Sequence, residues 1–227
     1  MLASPQQPPI MPHSTQHNLM SIHQNGASPN GLGVVDQHKH IWIITGPAGC
    51  GKSTVAQHLA QTLALPYIEG DEFHPPANID KMAAGVPLTD ADRWDWLILL
   101  RQEALARFSG CDTANGPPGV VLTCSALKKK YRDVIRVAAY HDSLVCVHFV
   151  YLRATEEVLM QRVKARQGHY MKDSMVKSQF ASLEEPTRDE GDCLIVDVAG
   201  TMPEVQDLAL TSVKEALKTH VAAENDR

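Results

Sequence analysis

Residues 46–53 read Gly-Pro-Ala-Gly-Cys-Gly-Lys-Ser, and the sequence on either side gives this stretch its meaning. The apolar, β-branched run at 40–45 before it is typical of a buried strand. Residues 54–65 after it repeat apolar side chains with a helical period, which is typical of an amphipathic helix. A glycine-rich loop between a strand and a helix, with Gly, Lys and Ser at these spacings, matches the phosphate-binding P-loop. The stretch therefore predicts a nucleotide phosphate site.

Each residue type in this loop has a physical reason to be there. The glycines allow unusual dihedral angles and let backbone N–H groups point at phosphate, and the following helix adds its positive dipole end. Lys52 is expected to reach the β- and γ-phosphates, and the Ser53 hydroxyl is expected to ligate Mg²⁺. The alternative is a chance glycine-rich turn, and the matching strand and helix argue against it. The predicted ATP-binding residues are Gly46, Pro47, Ala48, Gly49, Cys50, Gly51, Lys52, Ser53 and Thr54.

The composition excludes several function classes. The chain has 227 residues, 44% hydrophobic and 21% charged, which is ordinary for a globular protein. A net charge of −5 provides no general attraction to nucleic acid or to an anionic membrane. No apolar run approaches the ~20 residues of a membrane span. The five cysteines form no CxxC pair and no zinc spacing, so we expect small buried thiols in a reducing, cytoplasmic compartment.

Cys50 has two interpretations because of its place in the loop. A thiol at a loop tip beside a helix N-terminus can have a lowered pKa and become reactive. The alternative, which we favour, is a tolerated small residue at a variable position of the P-loop.

Residues 1–37 differ from the rest of the chain. They are rich in Pro, Gln, His, Ser and Asn, contain no Lys or Arg, and show no helical or strand period. Such a segment cannot bury enough apolar surface to offset its ordering entropy, so we expect a disordered polar tail. It lacks the Arg residues of a transit peptide and the apolar core of a secretory signal. Its histidines, His13, His17 and His23, are spaced too loosely to favour metal binding over a solvated tail.

The remaining residues, 38–227, alternate between strand and helix patterns. Such alternation predicts an α/β fold with a parallel sheet covered by helices on both faces. We expect the three-layer P-loop NTPase fold with a five-stranded parallel sheet, a helical acceptor-binding insertion and a mobile lid at about 162–175. Predicted strands lie at 40–45, 66–71, 119–124, 144–152 and 193–197. Predicted helices lie at 54–65, 77–84, 91–108, around 127–133, at 156–166, 172–183 and from Pro203 onward.

Three features beyond the P-loop indicate phosphoryl transfer. Asp71 follows the second strand, at the sheet edge where α/β proteins bind ligands, and can accept a proton from a substrate hydroxyl. Arg162 and Arg166 are four residues apart on a helix and suit a lid that covers the transferred phosphoryl group. Lys128 and Arg132, also four apart, follow the third strand and suit an anionic acceptor. Each has an alternative as a capping or solvated surface residue.

The sequence also resembles the gluconokinases, P-loop small-molecule kinases related in fold to shikimate and adenylate kinases. The resemblance runs from about residue 40 to about residue 200. The blocks around His74 and Ser125 are the most specific. The matching blocks are 46–53, 70–75 with Asn78, Lys81 and Met82, 85–90 with 92–94, 124–128 with 131–133, Arg162, 164–166, 168–169, 178–180, 183–184 and Pro186.

The resemblance implies transfer of the ATP γ-phosphoryl group to the 6-hydroxyl of D-gluconate, with Mg²⁺, to give 6-phosphogluconate for the pentose phosphate pathway. It also implies a homodimer. The catalytic residues would be Lys52, Asp71, Arg162 and Arg166, and Ser53 would hold the metal. The acceptor-binding residues would be Asp71, His74, Arg93, Lys128, Arg132 and His169. Because the third strand ends in Thr123 and Cys124 rather than in an acid, the metal would rest on Ser53, waters and Asp71.

Two other functions stay open at this point. A P-loop kinase for another small acceptor, such as shikimate or a nucleoside monophosphate, shares the same phosphate chemistry. A nucleotide-binding switch without turnover is a different class. Against the switch, the sequence has no Asn-Lys-x-Asp base-recognition motif, and it keeps both Lys52 and Asp71.

Overall fold

A computed structural model describes residues 38–108, 119–140, 142–165 and 173–225. The predicted tail at 1–37 lies outside the described residues, as does the middle of the predicted lid, residues 166–172. In the described part of the chain, no helix combines the length and the apolar character that a membrane span requires.

A five-stranded parallel sheet forms the centre, as predicted. The strands are β1 Lys39–Thr45, β2 Tyr67–Ile68, β3 Gly119–Thr123, β4 Val145–Arg153 and β5 Cys193–Asp197. Their order across the sheet is β2-β3-β1-β4-β5. The helices are α1 Lys52–Leu63, α2 Pro76–Ala83, α3 Trp94–Arg107, α4 Lys129–Arg136, α5 Glu156–Ala165, α6 Asp173–Ser182 and α7 Met202–Asn225.

Strand β1 shows why this sheet is covered on both faces. Alternate side chains of a strand point to opposite faces. Ile41 and Ile43 pack with residues of α3 and α4, whereas Trp42 and Ile44 pack with residues of α1 and α7. Because both faces are buried, the strand is continuously apolar over its central residues, 41–44, as expected of a central parallel strand. The result is a three-layer fold.

Strand β2 is shorter than predicted. It covers only Tyr67–Ile68, and Gly70–Phe73 form a 3-10 turn. The backbone N–H of Gly70 donates to the Thr123 hydroxyl at 2.9 Å instead of continuing the strand ladder. A Cβ at position 70 would lie 1.9 Å from the Thr123 carbonyl oxygen, so only glycine permits this approach. Asp71 therefore lies on a tight turn over the end of β3.

Candidate active site

The P-loop lies at the carboxyl end of β1, in the middle of the sheet. Gly46, Gly49 and Gly51 all have positive φ angles, which side chains with a Cβ rarely adopt. A Cβ at Gly46 would also lie 2.9 Å from the Leu152 carbonyl oxygen. Helix α1 begins directly after the loop, at Lys52, so its free N–H groups face the same space. This geometry is that of a phosphate cradle.

Lys52 bends back over this cradle. Its Nζ atom donates to the carbonyl oxygens of Gly46 and Pro47, each at 3.1 Å. The loop is also fixed from two sides. Thr45 donates through its hydroxyl to the Ser125 carbonyl at 2.5 Å, and the backbone N–H of Ala48 donates to the Gln179 side-chain oxygen at 2.6 Å. The ammonium therefore lies on a loop whose position is set by β3 and α6.

Cys50 is a buried packing residue. Its side chain is inaccessible to solvent and belongs to the core between the sheet, α1 and α7. Burial raises the pKa of the Cys50 thiol, and this effect exceeds the opposing influence of Lys52 and the backbone. The favoured interpretation of Cys50 as a small filler agrees with this environment, and the interpretation as a reactive thiol does not.

A second carboxylate, Glu69, lies beside the cradle. Glu69 accepts hydrogen bonds from the hydroxyls of Thr123 and of Tyr67, the latter at 2.5 Å. Burial alone would raise the pKa of Glu69, but these hydrogen bonds, one from Ser53 and the charge of Lys52 outweigh it and lower the pKa. The carboxylate is thus held ionised next to the P-loop lysine and serine.

Asp71 is exposed to solvent at the carboxyl end of the sheet. Its side chain is 83% exposed, and its Oδ1 atom lies 3.9 Å from Nε2 of the buried His74. Burial lowers the pKa of the His74 imidazole, the nearby Asp71 opposes this, and Arg93 reinforces it. A neutral imidazole beside an accessible carboxylate can orient a hydroxyl without adding charge. Asp71 is therefore accessible to a substrate, as a general base requires.

His74 is fixed in place by an aromatic stack. Its ring lies on the indole of Trp96 with the centroids 4.0 Å apart and the planes 16° from parallel. The Trp96 indole N–H donates to the Gly70 carbonyl at 2.8 Å. Helix α3 thus holds both His74 and the turn that carries Asp71.

Two cations, Arg93 and Lys128, lie beside the aromatic ring of Tyr131. The Arg93 guanidinium carbon lies 5.5 Å and the Lys128 Nζ lies 5.7 Å from the centroid of the Tyr131 ring. Asp90 accepts hydrogen bonds from Tyr131 and, at 3.1 Å, from Lys128. The structure therefore brings Asp71, His74, Arg93 and Lys128 to one side of the P-loop.

Arg132 does not join them, and its interpretation as an acceptor contact needs correction. The residue is 1% exposed. Its guanidinium donates to both carboxylate oxygens of Glu190, at 2.6 and 2.8 Å, and to the carbonyls of Ala126 and Glu184. The predicted face shared with Lys128 does not form because Lys128 precedes helix α4, while Arg132 points into the core. Arg132 positions the loop after β3, and its burial leaves it out of reach of a substrate.

Arg162 approaches the P-loop from the other side. One terminal nitrogen, Nη2, donates to the Val198 carbonyl at 2.7 Å. The other, Nη1, is buried and has no hydrogen-bond partner among the described residues. The Arg162 charge also acts on Cys50 inside the loop. A buried cationic donor beside a phosphate cradle is suited to a phosphate oxygen. Arg166 and His169 lie outside the described residues.

A cavity of about 240 Å³ opens at the carboxyl ends of β4 and β5. It lies on the side of the P-loop opposite to Asp71, because β1 separates β3 and β2 from β4 and β5. The cavity is lined by Arg153, Ala154, Thr155, Val158, Phe180, Glu185, Asp197, Val198 and Ala199.

Sequence reasoning did not single out Glu69, Asp90 or Tyr131. Glu69 could have been identified from the sequence, because it is an acid that lies two residues before Asp71 and follows the same predicted strand core. Asp90 and Tyr131 meet across 41 positions of the chain, and no local pattern announces such a pair.

Comparison with known proteins identifies the family of the chain. Residues 41–186 match the sequence model of a family described as an AAA domain. A probable gluconokinase of Schizosaccharomyces pombe is 43% identical over 169 residues, which cover 71% of this chain and 81% of that protein. The chain belongs to the gluconokinase family.

Two further relatives of the gluconokinase family support the assignment. The thermoresistant gluconokinase of Escherichia coli is 39% identical over 167 residues, covering 74% of this chain and 89% of that protein. The crystal structure of a gluconokinase from Sinorhizobium meliloti 1021 has a TM-score of 0.68 at 36% identity, covering 82% of this chain and 96% of that chain. The resemblance and the P-loop kinase fold inferred from the sequence are thus confirmed, and a switch without turnover is not favoured.

Proposed function

We propose that this chain transfers the γ-phosphoryl group of ATP to the 6-hydroxyl of D-gluconate, giving 6-phosphogluconate and ADP. The observation that carries the proposal is the accessible Asp71 carboxylate beside His74, on the same side of the P-loop as the cations Arg93 and Lys128. A kinase for a sugar acid needs a base for the hydroxyl, a phosphate cradle and positive charge for the acceptor carboxylate. Relatives that are named gluconokinases support the choice of acceptor over shikimate or a nucleotide.

The acceptor hydroxyl loses its proton to Asp71 as it attacks the γ-phosphorus. His74 stays neutral near pH 7, because burial lowers its pKa, and it orients the Asp71 carboxylate or the sugar chain. Arg93 and Lys128 attract the gluconate carboxylate. In this arrangement the charge of the acceptor selects its orientation, and the 6-hydroxyl points toward the phosphate cradle.

Lys52 and Arg162 stabilise the charge that develops on the transferred phosphoryl group. Lys52 leaves the loop carbonyls to meet the phosphates, and the buried Nη1 of Arg162 donates to a phosphate oxygen. We propose that Arg166 and His169, with the lid at about 162–175, complete this enclosure.

Mg²⁺ fits the donors at this site, because the Ser53 hydroxyl and the ionised Glu69 carboxylate are hard oxygen ligands. When bound, the ion neutralises charge on the β- and γ-phosphates. Ser53 would bind it directly, and Glu69 would hold its waters. Glu69 supplies the acid that β3 lacks, since Thr123 uses its own hydroxyl to position that carboxylate.

We further propose that the enzyme works as a homodimer in the cytoplasm. Cys50, Cys124 and Cys193 are free thiols in the described part of the chain, which suits a reducing compartment. The kinase domain would comprise residues 38–227, and its product would feed the pentose phosphate pathway.

A coupled ADP-release assay with Mg·ATP and an acceptor panel tests the proposal. The panel contains D-gluconate, a second sugar acid, shikimate, AMP and a water blank, and Lys52→Met serves as the inactive control. We expect turnover with gluconate alone. Turnover with another acceptor only would retain the kinase mechanism and refute the assignment of the pocket. ATP binding without turnover on any acceptor would refute the kinase assignment.

A further inference from the structure

A cluster of histidines and one cysteine lies at the amino-terminal ends of β1 and β4, whereas the active site lies at the carboxyl ends of the strands. His40 of β1 pairs in register with Cys146 of β4, and Trp42 pairs with His148. Because alternate residues of a strand share a face, His40, Cys146 and His148 all project toward helix α7. His40 and His148 are buried, and Cys146 is partly exposed. Neither the P-loop chemistry nor the acceptor pocket uses any of them.

The donor atoms of these three residues converge. One ligand atom from each of His40, Cys146 and His148 lies within 4.8 Å of the others, and His40 Nδ1 is 3.0 Å from His148 Nε2. In a tetrahedral zinc site with imidazole and thiolate ligands, neighbouring donor atoms are about 3.3 to 3.6 Å apart. Only side-chain adjustments of about an ångström separate the observed arrangement from such a site.

Helix α7 brings a fourth candidate, His220. Its ring centroid lies 5.5 Å from that of His40 and 5.3 Å from that of His148, and the His40 and His148 centroids are 5.2 Å apart. Imidazoles that share one tetrahedral zinc ion have centroids about 5.2 Å apart, given the Zn–N bond length. His38 lies beside them, with its centroid 5.8 Å from that of His220.

We propose that this cluster binds one Zn²⁺ ion through His40, Cys146, His148 and His220. Imidazole and thiolate donors favour zinc over Mg²⁺ or Ca²⁺, which prefer oxygen. The ion would tie the carboxyl-terminal part of α7 to β1 and β4. Five residues of β1, 41–45, separate His40 from Gly46 of the P-loop, about 20 Å of strand, so the ion stabilises the fold and takes no part in phosphoryl transfer.

Cobalt substitution of the full-length protein, without nucleotide, tests the proposal. Co²⁺ in a tetrahedral site with one thiolate gives strong visible d–d bands and a near-ultraviolet thiolate-to-metal band. We expect one Co²⁺ per chain with both features. The Cys146→Ser variant should lose the thiolate band, and His148→Asn should bind Zn²⁺ at least about 10-fold more weakly.

Matched controls separate this cluster from other histidines and thiols. A variant that combines His13→Asn, His17→Asn and His23→Asn should keep both spectral features, and so should Cys193→Ser. Retention of the thiolate band in Cys146→Ser, its loss in the tail variant, or its absence from the wild-type protein would each overturn the proposal.

A measurement on the wild-type protein avoids any folding defect of the variants. Saturating Zn²⁺ should slow alkylation of Cys146, followed by peptide mass spectrometry, and leave Cys193 unchanged. It should also raise the melting temperature by about 5 °C or more at 100-fold excess over Kd. Equal alkylation of Cys146 with and without zinc would refute the site.

Discussion

Thr123 donates its hydroxyl proton to the carboxylate of Glu69, across 54 positions of the chain. The same hydroxyl accepts the Gly70 N–H, so one side chain of β3 fixes both the acid and the turn that follows it. The residue that occupies the usual place of a metal-binding acid thus positions an acid from the neighbouring strand.

Replacing Glu69 should therefore change the metal dependence of the reaction. We expect Glu69→Gln to raise the Mg²⁺ concentration needed for half-maximal activity by about 10-fold or more, because the carboxylate that would hold the waters of the ion is lost. Activity measured against Mg²⁺ at fixed ATP checks this. Glu72→Gln removes an exposed acid on the same turn and should leave the curve unchanged. A Glu69→Gln curve that coincides with wild type would exclude the metal role.

Asp71 is expected to be the general base. Asp71→Asn should lower kcat by about 100-fold or more, while the Kd for ATP stays within a factor of about two. Rapid-quench turnover measures kcat, and calorimetric titration measures the Kd for ATP. Near-normal turnover would remove Asp71 from the mechanism.

Arg162 should act on the transition state. Arg162→Ala is expected to lower kcat by about 100-fold, because a donor to the developing phosphoryl charge is removed, with a smaller loss of ATP affinity. Arg162→Lys keeps the charge but lacks the planar guanidinium with its two terminal donors, so its kcat should be only partly restored. An equal loss in kcat and in ATP affinity would identify a ground-state contact instead. For Arg166→Ala we likewise expect kcat to fall more than the affinity for ATP.

Arg93 and Lys128, two of the three described cations beside the Tyr131 ring, should control acceptor affinity. Arg93→Met and Lys128→Met are each expected to raise the KM for gluconate about 10-fold or more and to leave the KM for ATP unchanged. Lys129→Met is the matched control, because Lys129 is exposed and pairs with Asp133 within its own helix. Similar KM values for gluconate in all three variants would refute the carboxylate-binding assignment.

The pair of Arg132 and Glu190 should matter for stability rather than for catalysis. Both side chains are almost fully buried, so Glu190→Gln leaves a buried guanidinium without its counter-charge and should cost about 3 to 5 kcal/mol in the free energy of unfolding. Urea unfolding at pH 7 measures this loss. The KM for gluconate should stay unchanged when the remaining folded protein is assayed.

The pH dependence of this pair has a defined sign. Hydrogen bonds from Arg132, against the opposing effect of burial, lower the pKa of Glu190 from 4.5 to about 2 in the folded state. The stabilisation is therefore fully present above about pH 4.5 and is lost as the pH falls through about 2. The difference between wild type and Glu190→Gln should shrink over that range. A difference that is constant with pH would contradict the assignment.

Local patterns predicted the P-loop, the five strands and the position of Asp71, because periodicity and glycine spacing are properties of short stretches. They could not predict that β2 ends after Ile68, since the chain leaves the sheet there to bond with Thr123. They also misplaced Arg132. Its partner Glu190 lies 58 positions away, and a spacing of four from Lys128 says nothing about which of the two faces the core.

The strand order has a consequence for synthesis of the chain. His40 of β1 pairs with Gly119 of β3 and with Cys146 of β4, and Tyr67 of β2 pairs with Val121. In the described residues, the first two strands therefore have no sheet partner until translation passes position 119, about halfway along the chain. Long-range pairing of this kind slows folding. A nascent chain stopped before that point would expose the apolar strand that carries the P-loop, making it a client for chaperones.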